Sequence, residues 1–149
     1  MSAFFVWPLP EKWHRVSSPF GQRVHPVTGK TSMHSGIDIA CPQGTKVWAP
    51  CAGEVVNVWK DEKSGGGLSL TILGEEGALR FGFAHLSEVR VAKGDQVERG
   101  QVVALSGGTP GTEGAGRSTG PHLHVTVRAM RSGKLLDPEE LNWWYMERE

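Results

Sequence analysis

The feature that most constrains this fold is a two-residue alternation near the end of the chain. Residues 122–129 read HLHVTVRA, so polar and apolar side chains take turns. Strand residues two apart face the same side, and the segment therefore predicts a β-strand with one apolar and one polar face. His122 and His124 should stand side by side on the polar face. An isolated pair of this kind is more often solvent-exposed than functional, so its meaning depends on ligand-type residues elsewhere.

The composition indicates short strands and many turns. The 149 residues include 20 glycines and 9 prolines, and residues typical of long helices are thinly spread. The length suits one domain with a real core. We therefore expect a single all-β domain with short helical turns. Residues 1–16 predict an extended lead-in, with Trp7 and Trp13 on the domain surface, and residues 139–149 predict a tail with a short helical turn.

Charge and hydropathy argue against several classes of partner. The formal net charge is zero, whereas a nucleic-acid footprint needs a basic excess. No apolar run approaches the roughly 20 residues that cross a bilayer. The N-terminal apolar run is shorter than the roughly 7–15 residues of a signal peptide and lacks a basic segment before it. We expect no nucleic-acid partner, no membrane insertion, no ordinary export signal and a monomer.

Two cysteines and two histidines have no partner at ligand spacing. Cys41 and Cys51 fit either a small disulfide-closed loop or two semi-buried thiols. They lack the CxxC spacing of a structural zinc site. His14 and His25 stand apart from the other ligand-type residues.

A second group of ligand-type residues is His34 with Asp38. A helix here is disfavoured by Gly36 and two isoleucines. In a straight strand, residues four apart lie about 13 Å apart, which is too far for one metal with bonds near ~2 Å. If the two share a metal, Gly36 must help to bend the backbone between them. Otherwise they are an exposed histidine and an aspartate in a turn.

A third group lies at the end of a predicted hairpin over residues 68–73 and 79–86. His85 shares its parity with the apolar Phe81 and Phe83, so it is either a buried structural histidine or a base at the rim of a groove. Residues 106–119 form a glycine-rich loop that is too long for a plain turn, which favours a functional edge.

Together the chain offers three candidate metal ligands, His34, Asp38 and His124. Two histidines and one carboxylate make a zinc site with an open fourth position, which is typical of catalytic zinc. Zinc-bound water has a pKa near ~7 and becomes a nucleophile at neutral pH. His85 and His122 remain as imidazoles suited to proton transfer.

Four motifs resemble the lysostaphin/LytM-type zinc metallopeptidases in order and spacing. They are SPFGQRVHPVTG at 18–29, HSGID at 34–38, FAHLS at 83–87 and STGPHLH at 118–124. Each is weak alone, but the combination is specific, and the likeness covers residues 17–138. The resemblance implies an antiparallel sheet of the barrel-sandwich type that lines a narrow groove. It also implies cleavage of peptide bonds in bacterial peptidoglycan, in the stem peptides or cross-bridges.

The resemblance also assigns roles to five residues. His34, Asp38 and His124 match the ligands of one zinc ion, and His85 and His122 match the two catalytic histidines, with the general base unassigned. The partner implied is the bacterial cell wall. A single domain without an export signal fits a phage lysis or virion-entry enzyme, or an excised mature domain.

Three departures from the family pattern bear on substrate preference. Phe83 stands where tyrosine is common, residues 60–67 lack the aromatic-and-Asn pattern expected near the groove, and residues 109–115 form an insertion.

Two other classes compete with the peptidase interpretation. Residues 47–56 and 93–101 resemble the half-motifs of biotinyl/lipoyl carriers, but Lys60 and Lys63 fall in a glycine-rich loop rather than at a hairpin tip. A non-catalytic member that regulates or binds cell-wall enzymes would have lost metal ligands, and none is lost here.

Overall fold

A computed structural model describes residues 4–24, 27–61 and 65–146. Within these residues the chain forms fifteen short β-strands and two 3-10 turns, at Glu11–Trp13 and Pro138–Glu140. The strands, numbered in chain order, are β1 Phe5–Val6, β2 Val16–Ser18, β3 Gly21–Val24, β4 Thr31–His34, β5 Ile37–Ala40, β6 Lys46–Trp48, β7 Gly53–Asp61, β8 Gly67–Gly74, β9 Leu79–Ala84, β10 Leu86–Val89, β11 Gln96–Val97, β12 Val102–Ser106, β13 His122–Ala129, β14 Leu135–Leu136 and β15 Trp143–Trp144.

One large antiparallel sheet organises the molecule. Its strands run in the order β11-β7-β8-β9-β13-β5-β2, and β14 pairs with β13. A second antiparallel sheet has the order β10-β12-β6, and β3 and β4 form a separate hairpin. The parallel pair β1 and β15 joins the two ends of the described chain. The predicted all-β, mainly antiparallel fold with short helical turns is confirmed.

The alternation at the C-terminal end has the expected consequence. In β13 the apolar positions 123, 125 and 127 are buried, whereas the intervening side chains from His122 to Thr126 are half-buried and Arg128 is exposed. The neighbouring β8 and β9 form the predicted hairpin and contribute Leu70, Ile72, Phe81 and Phe83 to the same core. One face of the main sheet therefore packs inward and leaves the other face polar.

The N-terminal segment is more deeply integrated than the sequence predicted. Trp7, expected on the surface, is only 2% exposed, and its indole Nε1 donates to the carbonyl of Trp13. Leu9 is fully buried as well. The expectation of a surface position failed for Trp7 because an extended segment with prolines can still pair at a sheet edge, here through β1 with β15.

Both cysteines are free thiols, which answers the question that their spacing left open. Burial raises the pKa of Cys41, and it raises the pKa of Cys51 to about 11. In the described part of the chain, no helix has the length and apolar character needed to cross a membrane.

Candidate active site

The site forms where β5 and β13 lie side by side in the main sheet. In their antiparallel register, His124 is directly opposite Asp38. Directly opposed side chains on one sheet face have Cβ atoms about 4.5–5.5 Å apart. Two of the predicted ligands, 86 positions apart in sequence, are thus neighbours because of strand pairing.

The third predicted ligand, His34, lies on a different hairpin, formed by β3 and β4. It is the last residue of β4, and Ser35 and Gly36 connect β4 to β5. His34 Nε2 consequently lies 3.3 Å from Asp38 Oδ2, although a straight strand would hold the two residues far apart. The predicted bend exists.

The reason for Gly36 differs from the one expected. Its φ does not fall in the left-handed region, so backbone freedom is not what the position requires. A Cβ built there would lie 2.0 Å from the carbonyl oxygen of Val125. Glycine is needed at this position because β13 passes too close for any side chain.

The three ligand-type side chains present their donor atoms to one point. One donor atom each from His34, Asp38 and His124 lies within 4.8 Å of the others, close enough to hold one metal ion. His34 is 8% exposed, and the side chains of Asp38 and His124 are 21% and 16% exposed. Two imidazoles and a carboxylate are a donor set that suits zinc.

Hydrogen bonds select which ring nitrogen faces this point. His34 Nδ1 lies 2.8 Å from the carbonyl oxygen of Pro19. A carbonyl only accepts, so this nitrogen carries the proton and leaves Nε2 free as a ligand. His124 is turned the other way, with Nδ1 2.8 Å from Asp38 Oδ1 and Nε2 3.3 Å from the hydroxyl of Ser35.

His85 reaches the site through an unusual backbone conformation. It has a φ of 59°, and among the described residues no other non-glycine has a positive φ. The strand parity predicted from Phe81 and Phe83 therefore ends at Ala84, and the ring of His85 stands 4.8 Å from that of His122, centroid to centroid. Such strained positions concentrate at functional sites. His85 is half-buried rather than fully buried, and its ring lies next to that of His122.

The long loop before β13 fixes the proton position on both remaining rings. The Nδ1 atom of His85 donates to the carbonyl of Ala115, at 2.7 Å. The Nδ1 atom of His122 donates to the carbonyl of Gly120, at 2.8 Å. Each ring thus has Nε2 available, and that of His122 lies 3.5 Å from Asp38 Oδ1.

The electrostatics of the site follow from burial and from the clustered rings. Burial alone would raise the pKa of Asp38, but the hydrogen bond from His124 and the neighbouring imidazoles hold it below its usual range. Burial lowers the pKa of His85 more than the Ala115 carbonyl raises it, so the environment favours the neutral ring.

The remaining residues singled out in the sequence lie elsewhere. The exposed His14 places its Nδ1 2.8 Å from the carbonyl of Glu11. The side chain of Phe83 is 1% exposed, so the hydroxyl that tyrosine would add there points into the core and not into the groove. Lys60 pairs with Glu113, and His25 and Lys63 lie outside the described residues.

Sequence reasoning missed the residues that support and extend the site. Ser35 and the carbonyl of Ala115 carry no sequence signal because they act through position alone. Trp59 on β7 is 42% exposed and lines a groove of about 370 Å³ that runs from His124 along the polar face of the sheet. An exposed tryptophan at the edge of a polar loop was the signal available for it.

Comparison with known proteins relates this chain to a family of peptidases. Residues 32–138 match the family model described as peptidase family M23. The chain is 36% identical over 126 residues to a protein of Vibrio cholerae serotype O1 named peptidoglycan DD-endopeptidase ShyB, covering 84% of this chain and 28% of that one. It therefore spans about a quarter of the length of the curated relatives it matches.

Solved structures show the same fold. A zinc-containing peptidase from Vibrio cholerae superposes with a TM-score of 0.80 at 32% identity, over 96% of this chain and 41% of that chain. The catalytic domain of the antimicrobial peptidase lysostaphin from Staphylococcus simulans superposes with a TM-score of 0.71 at 29% identity, over 88% of this chain and 96% of that domain. The resemblance to lysostaphin-type peptidases is confirmed.

Proposed function

The chain belongs to peptidase family M23, and from that premise we propose that it is a zinc-dependent endopeptidase acting on bacterial peptidoglycan. The bonds cut are peptide bonds of the stem peptides or cross-bridges, and the name of the Vibrio relative favours a DD-peptide bond. The observation that carries the proposal is the convergence of His34, Asp38 and His124, with His85 and His122 beside them.

In this proposal the chain holds one zinc ion through three side chains. His34 contributes Nε2, Asp38 a carboxylate oxygen and His124 Nδ1, since these are the atoms directed to the shared point. Three protein ligands leave an open position, which distinguishes catalytic from structural zinc. When bound, the metal polarises the scissile carbonyl and activates a water molecule for attack. The Nδ1 hydrogen bond to Pro19 locks the orientation of His34, as partners of ligating histidines commonly do.

The other two histidines handle protons. Each donates Nδ1–H to a main-chain carbonyl and therefore presents an unprotonated Nε2 when neutral. One such nitrogen can take the proton of the attacking water, and the protonated ring can later deliver a proton to the leaving amine. A peptide nitrogen is a poor leaving group until it is protonated, so both transfers are needed for turnover.

The competing function is a non-catalytic regulator of cell-wall enzymes. It would tolerate loss of the ligands or of the proton-transfer groups. The presence of all five residues in one cluster favours the catalytic proposal.

Mass spectrometry of muropeptides tests the function. Purified peptidoglycan is digested with zinc-loaded protein, and with the same protein in chelator. We expect new fragments whose masses correspond to hydrolysis of a peptide bond, and their loss in chelator. The exposed His14→Ala variant serves as a histidine control and should release the same fragments. No release from any wall type, or release undiminished by chelator, would refute the proposal.

A further inference from the structure

Two arginines occupy the far end of the groove that begins at the proposed zinc site. Arg80 on β9 and Arg128 on β13 are paired in register, directly opposite each other. Both line the same groove as His124 and Trp59. Like charges placed directly opposite in a sheet destabilise it. This local conflict in a well-ordered sheet indicates a functional use for the pair.

Nothing within the described chain neutralises these two cations. The residues that line the groove include no aspartate or glutamate. Among the described residues no carboxylate forms an ion pair with either arginine, in contrast to Arg90, which pairs with Glu88, and Lys60, which pairs with Glu113. One guanidinium nitrogen of Arg128 donates to the carbonyl of Gly133, which leaves its other donors for a ligand.

Arg80 has the stronger requirement for a partner. Its Nε is removed from solvent and has no hydrogen-bond partner among the described residues. A buried polar atom without a partner destabilises the folded state, and more so when the group is charged. An anion bound by the guanidinium would offset the cost of keeping this cation half-buried.

The groove between the arginines and the proposed metal site is open and of fixed length. Thr126 and Gly82 are opposite each other midway. A Cβ at Gly82 would lie 2.4 Å from Thr126 Oγ1, so the floor has no room for a second side chain there. His124 and Arg128 are four positions apart, which corresponds to about 13 Å along the strand. An extended peptide covers this distance with about four residues.

We propose that Arg80, with Arg128 beside it, binds a carboxylate of the substrate peptide about three or four residues from the scissile bond. Arginine suits this ligand because its planar donors match both carboxylate oxygens. The inference rests on the proposed endopeptidase function. It makes the enzyme selective for peptidoglycan whose stem carboxylates are free rather than amidated.

The test compares two substrates that differ in one group. Cross-linked peptide fragments are prepared with stem carboxylates free or converted to carboxamides, and kcat/KM is measured on both. Wild type should prefer the free acid by roughly ten-fold or more, the range of a hydrogen bond to a charged group. Arg80→Gln should lose that preference by slowing only on the acid, and Arg128→Gln should reduce it.

Two controls separate this role from a structural one. Arg90→Gln removes an exposed arginine that follows β10 and is paired with Glu88, and it should keep the full preference. Arg80→Lys should retain part of the preference, because the charge stays while the planar donors are lost. Each variant should bind the same amount of zinc as wild type.

The outcomes distinguish this inference from the proposed function. Equal cleavage of both substrates by wild type would overturn the carboxylate site and leave the endopeptidase proposal intact. Cleavage of neither substrate would refute the function itself. A preference that persists in both Arg80→Gln and Arg128→Gln would place the recognition elsewhere.

Discussion

Single residues in this site are determined by contacts that their own type does not reveal. Gly36 was expected to bend the chain, and the structure shows instead that it lets β13 pass. His85 was expected to continue the parity of Phe81 and Phe83, but its own left-handed backbone conformation ends the strand alternation. Residue type alone does not signal either effect, because the first depends on a strand far away in sequence and the second on a rare backbone conformation.

Gly36→Ala should destabilise the fold. The added Cβ meets the carbonyl of Val125, which is backbone and cannot rotate away. We expect a loss of about 1–3 kcal/mol in the free energy of unfolding, measured in urea. Gly120→Ala is the control, since a Cβ there meets nothing within 4 Å. Equal stability of wild type and Gly36→Ala would show that β4, β5 and β13 can separate at little cost.

His85→Asn should separate folding from catalysis at one position. Asparagine tolerates positive φ better than most residues, so the thermal midpoint should stay close to that of wild type. The proton-transfer ring is gone, and turnover should fall by roughly 100-fold or more. A variant that keeps more than about a tenth of the activity would remove His85 from the catalytic role proposed here.

At the scale of elements, the sequence predicts strands well and their partners poorly. The strands over 67–74, 79–84 and 122–129 follow from alternation and turn residues. The strands β6 and β7 are only four residues apart in sequence, yet they join different sheets. Sheet membership depends on pairing between distant segments, which no local pattern encodes.

A contact between the start of β8 and the long loop before β13 supports His85. Gly67 has a φ of 64°, and a Cβ there would lie 2.0 Å from the carbonyl oxygen of Gly114. The next residue along, Ala115, is the one whose carbonyl orients His85. Residues 109–115, which the family resemblance predicts to be an insertion, thus end at a carbonyl that supports the site.

Gly67→Ala should therefore impair turnover without removing the metal. Displacing the 114–116 segment disturbs the hydrogen bond to His85, and we expect kcat to fall by about 10–100-fold, as when partners of active-site histidines are lost. Zinc content should not change, because the ligands lie on β4, β5 and β13. Gly77→Ala is matched in backbone strain, with a φ of 72°, but its Cβ meets nothing within 4 Å. If the two variants had equal kcat, the loop contact would have no part in catalysis.

At the scale of the whole molecule, the ends of the described chain brace the fold. The strand β1 pairs with β15, and Trp7 packs its ring edge-on against Trp143 at 5.3 Å. The sequence placed Trp7 on the surface because extended, proline-containing segments usually lie there. The site itself was better anticipated, since five ligand-type and proton-transfer residues fall into recognisable motifs. Their mutual distances were not, because they depend on the register of β5 against β13.

Trp7→Ala should lower the free energy of unfolding much more than truncation of an exposed tryptophan does. Truncating a buried tryptophan costs about 3–5 kcal/mol, to be measured by chemical denaturation. Trp144, which is 59% exposed and packs at a tilted angle against Phe4, is the matched control, and its truncation should cost about 1 kcal/mol or less. A small effect at Trp7 would mean that the N-terminal segment is dispensable for the core.

The most direct test of the account measures zinc stoichiometry and peptidoglycan cleavage together in three proteins. Wild type should bind one zinc per chain and cleave. Asp38→Ala should lose both properties, because it removes the ligand at the centre of the site. His122→Ala should keep the zinc and lose at least about 100-fold in turnover. Wild-type protein that binds no zinc, or Asp38→Ala protein that binds it as well and cleaves as fast, would contradict the account.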